Sequence, residues 1–148
     1  MPETRQTVVS APTYPAGAPH SAGWLPDGSQ IGAHRHNEGQ LLYSAAGALA
    51  TTTDRGTWLA PANRATWNPP GCEHAHRCYG RTDVRIIVMP LQLCARLPSH
   101  PSVHAVGPLL REAILALTDR RANHPDAAYT RLRAVLVDEL VETPEHSL

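Results

Sequence analysis

The sequence predicts a mainly β domain, an antiparallel sandwich or barrel, with a pair of helices at its C-terminal end. Three observations carry this. Turn signals recur at short intervals from Trp24 to Leu97: Pro26-Asp27-Gly28, Asp54-Arg55-Gly56, Pro61-Ala62-Asn63, Asn68-Pro69-Pro70-Gly71 and Gly80-Arg81-Thr82-Asp83. Runs between them, such as Ala48 to Thr53 and Val84 to Met89, are β-branched or apolar and too short for ordinary helices, which suits strands. Beyond Pro101 the apolar residues take up helical spacing.

In chain order, residues 1–22 are rich in Pro, Ala, Ser and Thr and read as an irregular arm with one short strand at Thr7 to Val9. The β domain is expected over residues 23–98 and the helical pair over 104–142. Gly107-Pro108 opens the first helix, because proline at the first helical position lacks only an N–H that would be unpaired there anyway. Leu110, Ala113, Ile114 and Leu117 then recur on one face, and Asn123-His124-Pro125 stops the run. Asp126 is a suitable cap for the second helix, where Leu132, Val135, Leu136 and Leu140 share a face and Arg131, Arg133, Asp138 and Glu142 are available to water. Pro144 ends it. Leu109, Leu115 and Val137 lie beside these stripes, more apolar surface than one face needs, so a homodimer is expected.

Composition narrows the function classes. A chain of 148 residues can bury a core as one domain. Its formal charge is +0, with no lysine and 13 arginines against 13 acids, so nothing in the balance asks for nucleic acid or an anionic membrane. The helices mix Arg111, Arg120 and Arg121 with Glu112 and Asp119, and the second ends in Asp138, Glu139 and Glu142. Residues 1–148 alone are therefore expected not to bind DNA specifically. No apolar run approaches the roughly 20 residues that span a bilayer, and residues 1–20 lack a secretory pattern, which predicts a cytoplasmic protein. Cys72, Cys78 and Cys94 are an odd set without repeated spacing and read as reduced packing residues.

The chemistry-bearing stretch is "GAHRHNEGQ", Gly32 to Gln40. From His34 the sequence runs H-x-H-x3-Q-x6-G to Gly47, and Pro69 begins P-x-G-x2-H, ending at His74. Side chains alternate along a strand, so His34 and His36 point one way and build a polar wall inside a barrel. His34, His36 and His74 then either hold a metal or line a pocket; imidazoles suit Zn, Ni, Cu or Fe, whereas a neutral Gln40 leaves the ion's charge uncompensated. His76 shares the parity of His74 and is either a further ligand or a group that orients one. Among Trp24, Trp58 and Trp67 some belong to the core and the rest to a pocket; the expected effector contacts are Trp24, Trp67 and Leu42.

These two strings resemble the two motifs of the cupin superfamily, a small antiparallel jelly roll. In its metal-binding members the two histidines and the acid of the first motif, with the histidine of the second, hold a divalent ion. The resemblance implies a cupin jelly-roll barrel followed by two C-terminal α-helices, with His34, His36, Gln40 and His74 at the ligand positions. Gln40 stands in place of the acid, the opening glycine of the second motif is displaced, and Cys78 stands where asparagine is common.

A narrower resemblance covers about residues 30–142. "HRHNEGQLLYSAAGALATTTDRGTWLAPANRATWNPPGCEH", with the later "GPLLREAILAL" and "RLRAVLVDEL", is similar to the N-terminal sensor domain of AraC-type transcriptional regulators. This implies a barrel that receives a small-molecule effector and helices used for dimerisation. In such regulators two helix-turn-helix units follow; residues 1–148 contain none, so DNA contact is expected from a part outside this chain. The alternative is a metal-dependent cupin enzyme, a dioxygenase or isomerase, with His34, His36 and His74 on the ion. Against an enzyme stand the missing carboxylate and the lack of an acid or base beyond Glu38 and Glu73.

Overall fold

A computed structural model describes residues 8–9, 20–119, 126–143 and 145–146. The strands are β1 (Val8–Val9), β2 (His20–Leu25), β3 (Gln30–His34), β4 (Gly39–Thr53), β5 (Gly56–Pro61), β6 (Arg64–Asn68), β7 (His74–Met89), β8 (Ser102–Ala105) and β9 (Glu145–His146). The helices are α1 (Leu91–Cys94), α2 (Pro108–Thr118) and α3 (Asp126–Glu142). Strand order is β1-β3-β7-β4-β6-β8-β9, with β2 also on β7 and β5 also on β4. All these pairings are antiparallel except β1 with β3, and the fold is a jelly-roll barrel with its helices towards the C-terminal end.

The long strands β4 and β7 organise the barrel, pairing from Gly39 opposite Met89 to Thr52 opposite Ala75. Their register shifts twice between Ser44 and Ala48. Past the shifts the inward set changes from Gln40, Leu42 and Ser44 to Leu49, Thr51 and Thr53, while His74, His76, Cys78, Val84, Ile86 and Val88 face inward along β7. One buried cluster, Leu42, Leu49, Cys78, Val84 and Ile86, joins both halves of this inner face. Gly47 makes the shift possible. Its φ is +72°, and a Cβ there would stand 2.7 Å from the Arg81 carbonyl oxygen, so the motif's last glycine is required both by conformation and by space.

The opposite face of the sheet is closed by the helices. Leu41, Tyr43, Ala65, Trp67, Ile87 and Met89 pack with Leu110, Ala113, Ile114 and Leu117 of α2 and Leu136, Val137 and Leu140 of α3. Gly39 belongs to this contact, since a Cβ there would meet the Trp67 ring and sit 2.8 Å from Cys94 Sγ. At the C-terminal end of α2, Arg85 Nε and Nη2 donate to the two Asp83 carboxylate oxygens at 2.9 and 3.0 Å, and Nη1 donates to Thr118 Oγ1 at 3.0 Å. Barrel and helix are thus tied by a paired charge as well as by apolar burial.

The first helix of the expected pair, α2, starts at Pro108 after Gly107 and buries Leu110, Ala113, Ile114 and Leu117, as its spacing predicts. The second differs in phase. Val135 is 39% exposed, whereas Val137 is fully buried and Arg133 lies half-buried. Leu132, Leu136, Val137 and Leu140 make the packed face; Arg133 falls between them by helical spacing, with its Nε lacking a partner and burial lowering its pKa. Two adjacent apolar stripes compete in that sequence, and contact with the sheet and α2 selects the one containing Val137. The sheet also runs past residue 98, because β8 pairs with β6 from Trp67 opposite Ser102 to Arg64 opposite Ala105. The one-turn α1 after Pro90 carries no periodic signal of its own. The expected arm before His20, the stop at Asn123-His124-Pro125 and the end at Pro144 lie outside the described residues, apart from Val8 and Val9, which form the expected strand.

Candidate functional site

Four histidines meet where β3 and the start of β7 run side by side, with His34 opposite His74 and Ile31 opposite His76. The His34 ring centroid is 4.7 Å from that of His36, 4.4 Å from His74 and 6.0 Å from His76, and His74 lies 5.1 Å from His76. His36 sits on the loop after β3, held close because the Gly71 N–H donates to its carbonyl oxygen at 2.8 Å. The two motif loops are joined by that hydrogen bond. The glycine of P-x-G-x2-H therefore brings the second motif onto the first.

His34, His74 and His76 each offer a ligand atom, all within 4.8 Å of one another. Donors at ~2.1 Å from one tetrahedral ion stand about 3.4 Å apart, so a pair at that limit has to close by more than about 1 Å to share it. Ring orientation favours this. His34 Nδ1 lies 2.7 Å from the Gly32 carbonyl oxygen and His74 Nδ1 2.9 Å from that of Cys72. A carbonyl only accepts, so these nitrogens carry the proton and each Nε2 keeps its lone pair. His76 Nδ1 is held by Thr51 Oγ1 at 3.0 Å, and the Nε2 atoms of His74 and His76 are buried without a hydrogen-bond partner.

Burial lowers the pKa of three of the four rings. Burial, then the neighbouring His34, push the His74 pKa down to about 4 against the pull of its bond to the Cys72 carbonyl. Burial followed by His74 lowers that of His76 well below 6.5, and burial followed by His34 lowers that of His36. Neutral imidazoles with pre-set tautomers are the form that binds a transition metal. The residues present fit such an ion.

The other expected residues fall differently. Gln40 is 2% exposed, faces inward and is the cross-strand partner of Asn68, at the ends of β4 and β6 from which the two motif loops depart. Its Nε2 lacks a partner. Leu42 faces inward within the apolar cluster. Trp24 does not line the interior: it is 50% exposed with the Arg81 guanidinium 4.3 Å over its ring. Trp67 does not either. It faces the helices, fully buried, with Nε1 donating to the Pro98 carbonyl oxygen at 2.8 Å. The inward tryptophan is Trp58, opposite Thr51 and 7% exposed, with its Nε1 unpartnered. Parity relative to Thr51 could have singled it out, had the β4–β5 register been known. Cys78 is core, and all three cysteines are free with pKa values raised first by burial.

A groove of about 720 Å³ opens at this end of the barrel and reaches His74. Arg35, Arg55, Asp54, Glu73 and Cys72 line it, and Arg35 Nη2 donates to Glu73 Oε2 at 2.7 Å.

The fold is a jelly roll whose outer face is covered by helices and whose interior is polar and carries histidines. Residues 24–140 match the AraC-like ligand binding domain, and the chain belongs to that family. It is 31% identical over 123 residues to the HTH-type transcriptional regulator NimR of Escherichia coli (strain K12), covering 78% of this chain and 42% of NimR. The chain therefore spans less than half the length of that relative. Among solved structures, the AraC-like transcriptional activator CuxR superposes with a TM-score of 0.58 at 16% identity, over 76% of this chain and 45% of CuxR. ToxT from Vibrio cholerae gives 0.57 at 5% identity, over 82% and 55% of the respective chains. At such identities these structures speak for the fold alone. No helix among the described residues is long and apolar enough to cross a membrane.

Proposed function

We propose that this chain is the effector-sensing part of an AraC-type transcriptional regulator, with the effector received at the histidine end of the barrel beside a divalent transition metal on His34, His74 and His76. The observation that carries the reading is the pair of buried, unpartnered Nε2 atoms on His74 and His76, whose opposite nitrogens are already engaged. His36 stands beside them as a fourth imidazole. Gln40, where cupins carry an acid, is buried on the inner face with its Nε2 unpartnered. The sensor reading is favoured over an enzyme because Glu73 is spent on Arg35 at an exposed ion pair, and no carboxylate joins the histidine set among the described residues.

DNA contact belongs to a part of the regulator outside residues 1–148 in this reading, and the helical pair joins two copies. Leu109 of α2 and Val135 and Val141 of α3 supply the exposed apolar surface for that contact, at 56%, 39% and 47% exposure. Val137 and Leu115 pack inside the monomer and contribute little.

Equilibrium dialysis against Zn(II) followed by elemental analysis tests the metal. About one ion per chain is expected, falling sharply in His74→Ala and His76→Ala variants that keep the native circular dichroism. Retention that is unchanged in both variants removes the site. Light scattering after gel filtration tests the dimer; Val135→Glu should shift it to monomer.

A further inference from the structure

We infer that the ligand taken up from the groove is a small carboxylate that completes the coordination of the ion, and not a neutral molecule. The inference rests on the metal reading above. The donors within reach of the ion are imidazoles, which bind a metal in their neutral form: His34, His74 and His76 form the set, His36 adjoins it, and no Asp or Glu is a member among the described residues. Three such ligands would leave a divalent ion its whole charge at a place where His74 and His76 are buried and His34 is half-buried. A buried charge without a counter-charge is costly, and three protein ligands leave at least one position open. An anionic oxygen donor answers both needs at once.

The surrounding groove does not supply that counter-charge itself. Its charged lining is balanced, with Arg35 and Arg55 against Asp54 and Glu73, and Glu73 is already paired to Arg35. The inward side chains near the histidines, Thr51 and Trp58, are neutral. Among the described residues of the lining, no net negative charge would compensate the ion.

The test uses the full 148-residue chain loaded with Co(II), whose visible absorption reports its coordination. Malonate is titrated against its neutral diamide, malonamide, with the metal-free chain as control and binding followed in parallel by calorimetry. Malonate should change the Co(II) spectrum and bind at least about tenfold more tightly to the loaded chain than to the metal-free one, with malonamide leaving the spectrum unchanged. Malonamide binding as well as malonate, or a Co(II)-loaded chain whose spectrum ignores malonate, overturns the inference and leaves the metal site standing. A chain that holds no Co(II) overturns both.

Discussion

The two faces of the β4–β6–β7 sheet are both buried, yet they satisfy their polar groups in opposite ways. On the helix-facing side, Tyr43 donates its hydroxyl to the Ala62 carbonyl oxygen at 2.7 Å and Trp67 its Nε1 to that of Pro98 at 2.8 Å. Arg85 spends its guanidinium on Asp83 and Thr118. On the inward side, Gln40 Nε2, Ser44 Oγ, Thr66 Oγ1, both amide atoms of Asn68, Trp58 Nε1 and the Nε2 atoms of His74 and His76 are buried without partners. Folded proteins leave few such groups, since each costs about 1–3 kcal/mol when nothing meets it. The difference teaches that, Arg133 Nε aside, the chain itself meets these polar groups of the outer face and leaves those of the inner face unmet.

The comparison breaks most visibly at Trp67. Trp67→Ala should cost about 3–5 kcal/mol in urea unfolding, because the ring fills the joint between sheet and helices. A loss under 1 kcal/mol would mean the helices are not anchored there.

Acid should act on the inner face. The folded-state pKa of His74, about 4, lies below the ordinary 6.5, so the stabilising contribution of its neutral form is complete above pH 6.5 and is lost as pH falls towards 4. The unfolded chain takes up its proton first. For the metal-free protein this site alone should remove on the order of 3 kcal/mol between those limits, with His76 and His36 acting in the same direction. Unfolding free energies that stay flat from pH 7 to pH 4 would show that the rings are not buried as a neutral cluster.

A smaller loss is expected where the outer network is cut. Arg85→Met leaves Asp83, 7% exposed, without its bidentate partner and should cost about 2 kcal/mol; adding Asp83→Asn should restore part of it. The finest contrast pairs one hydroxyl from each face. Tyr43→Phe removes a satisfied hydrogen bond and should cost about 1 kcal/mol, whereas Thr66→Val removes an unsatisfied hydroxyl and should be neutral or stabilising by up to about 1 kcal/mol. Equal losses from the two would erase the distinction between the faces.

Much of the site was legible in the sequence because the signal is local. The pair His34 and His36, and His74 with His76 two residues on, sit at strand spacing inside motif strings. Gly47 was visible as the last residue of its motif, although its physical task, a left-handed turn against the Arg81 carbonyl, only appears with β7 beside it. The tryptophans were not legible. Trp24 and Trp67 were expected at the effector and neither faces the interior, while Trp58 does. Where both faces of a strand are buried, as in "GQLLY" at Gly39 to Tyr43, alternation between apolar and polar residues fades and parity cannot be read.

By itself the sequence determined the class of fold, the position and phase of the first long helix, and which histidines would be candidates. These follow from turn chemistry, helical periodicity and the two-residue repeat of strands, all of which act over a few residues. The tertiary structure decided which side of the sheet each strand shows to the helices, which stripe of α3 is buried, and that His76 lies close to His34 and His74. Those outcomes depend on the register shifts between Ser44 and Ala48 and on the docking of α2 and α3. A single-residue change in register turns every following side chain to the other face, and no spacing along one strand records where its partner makes that change.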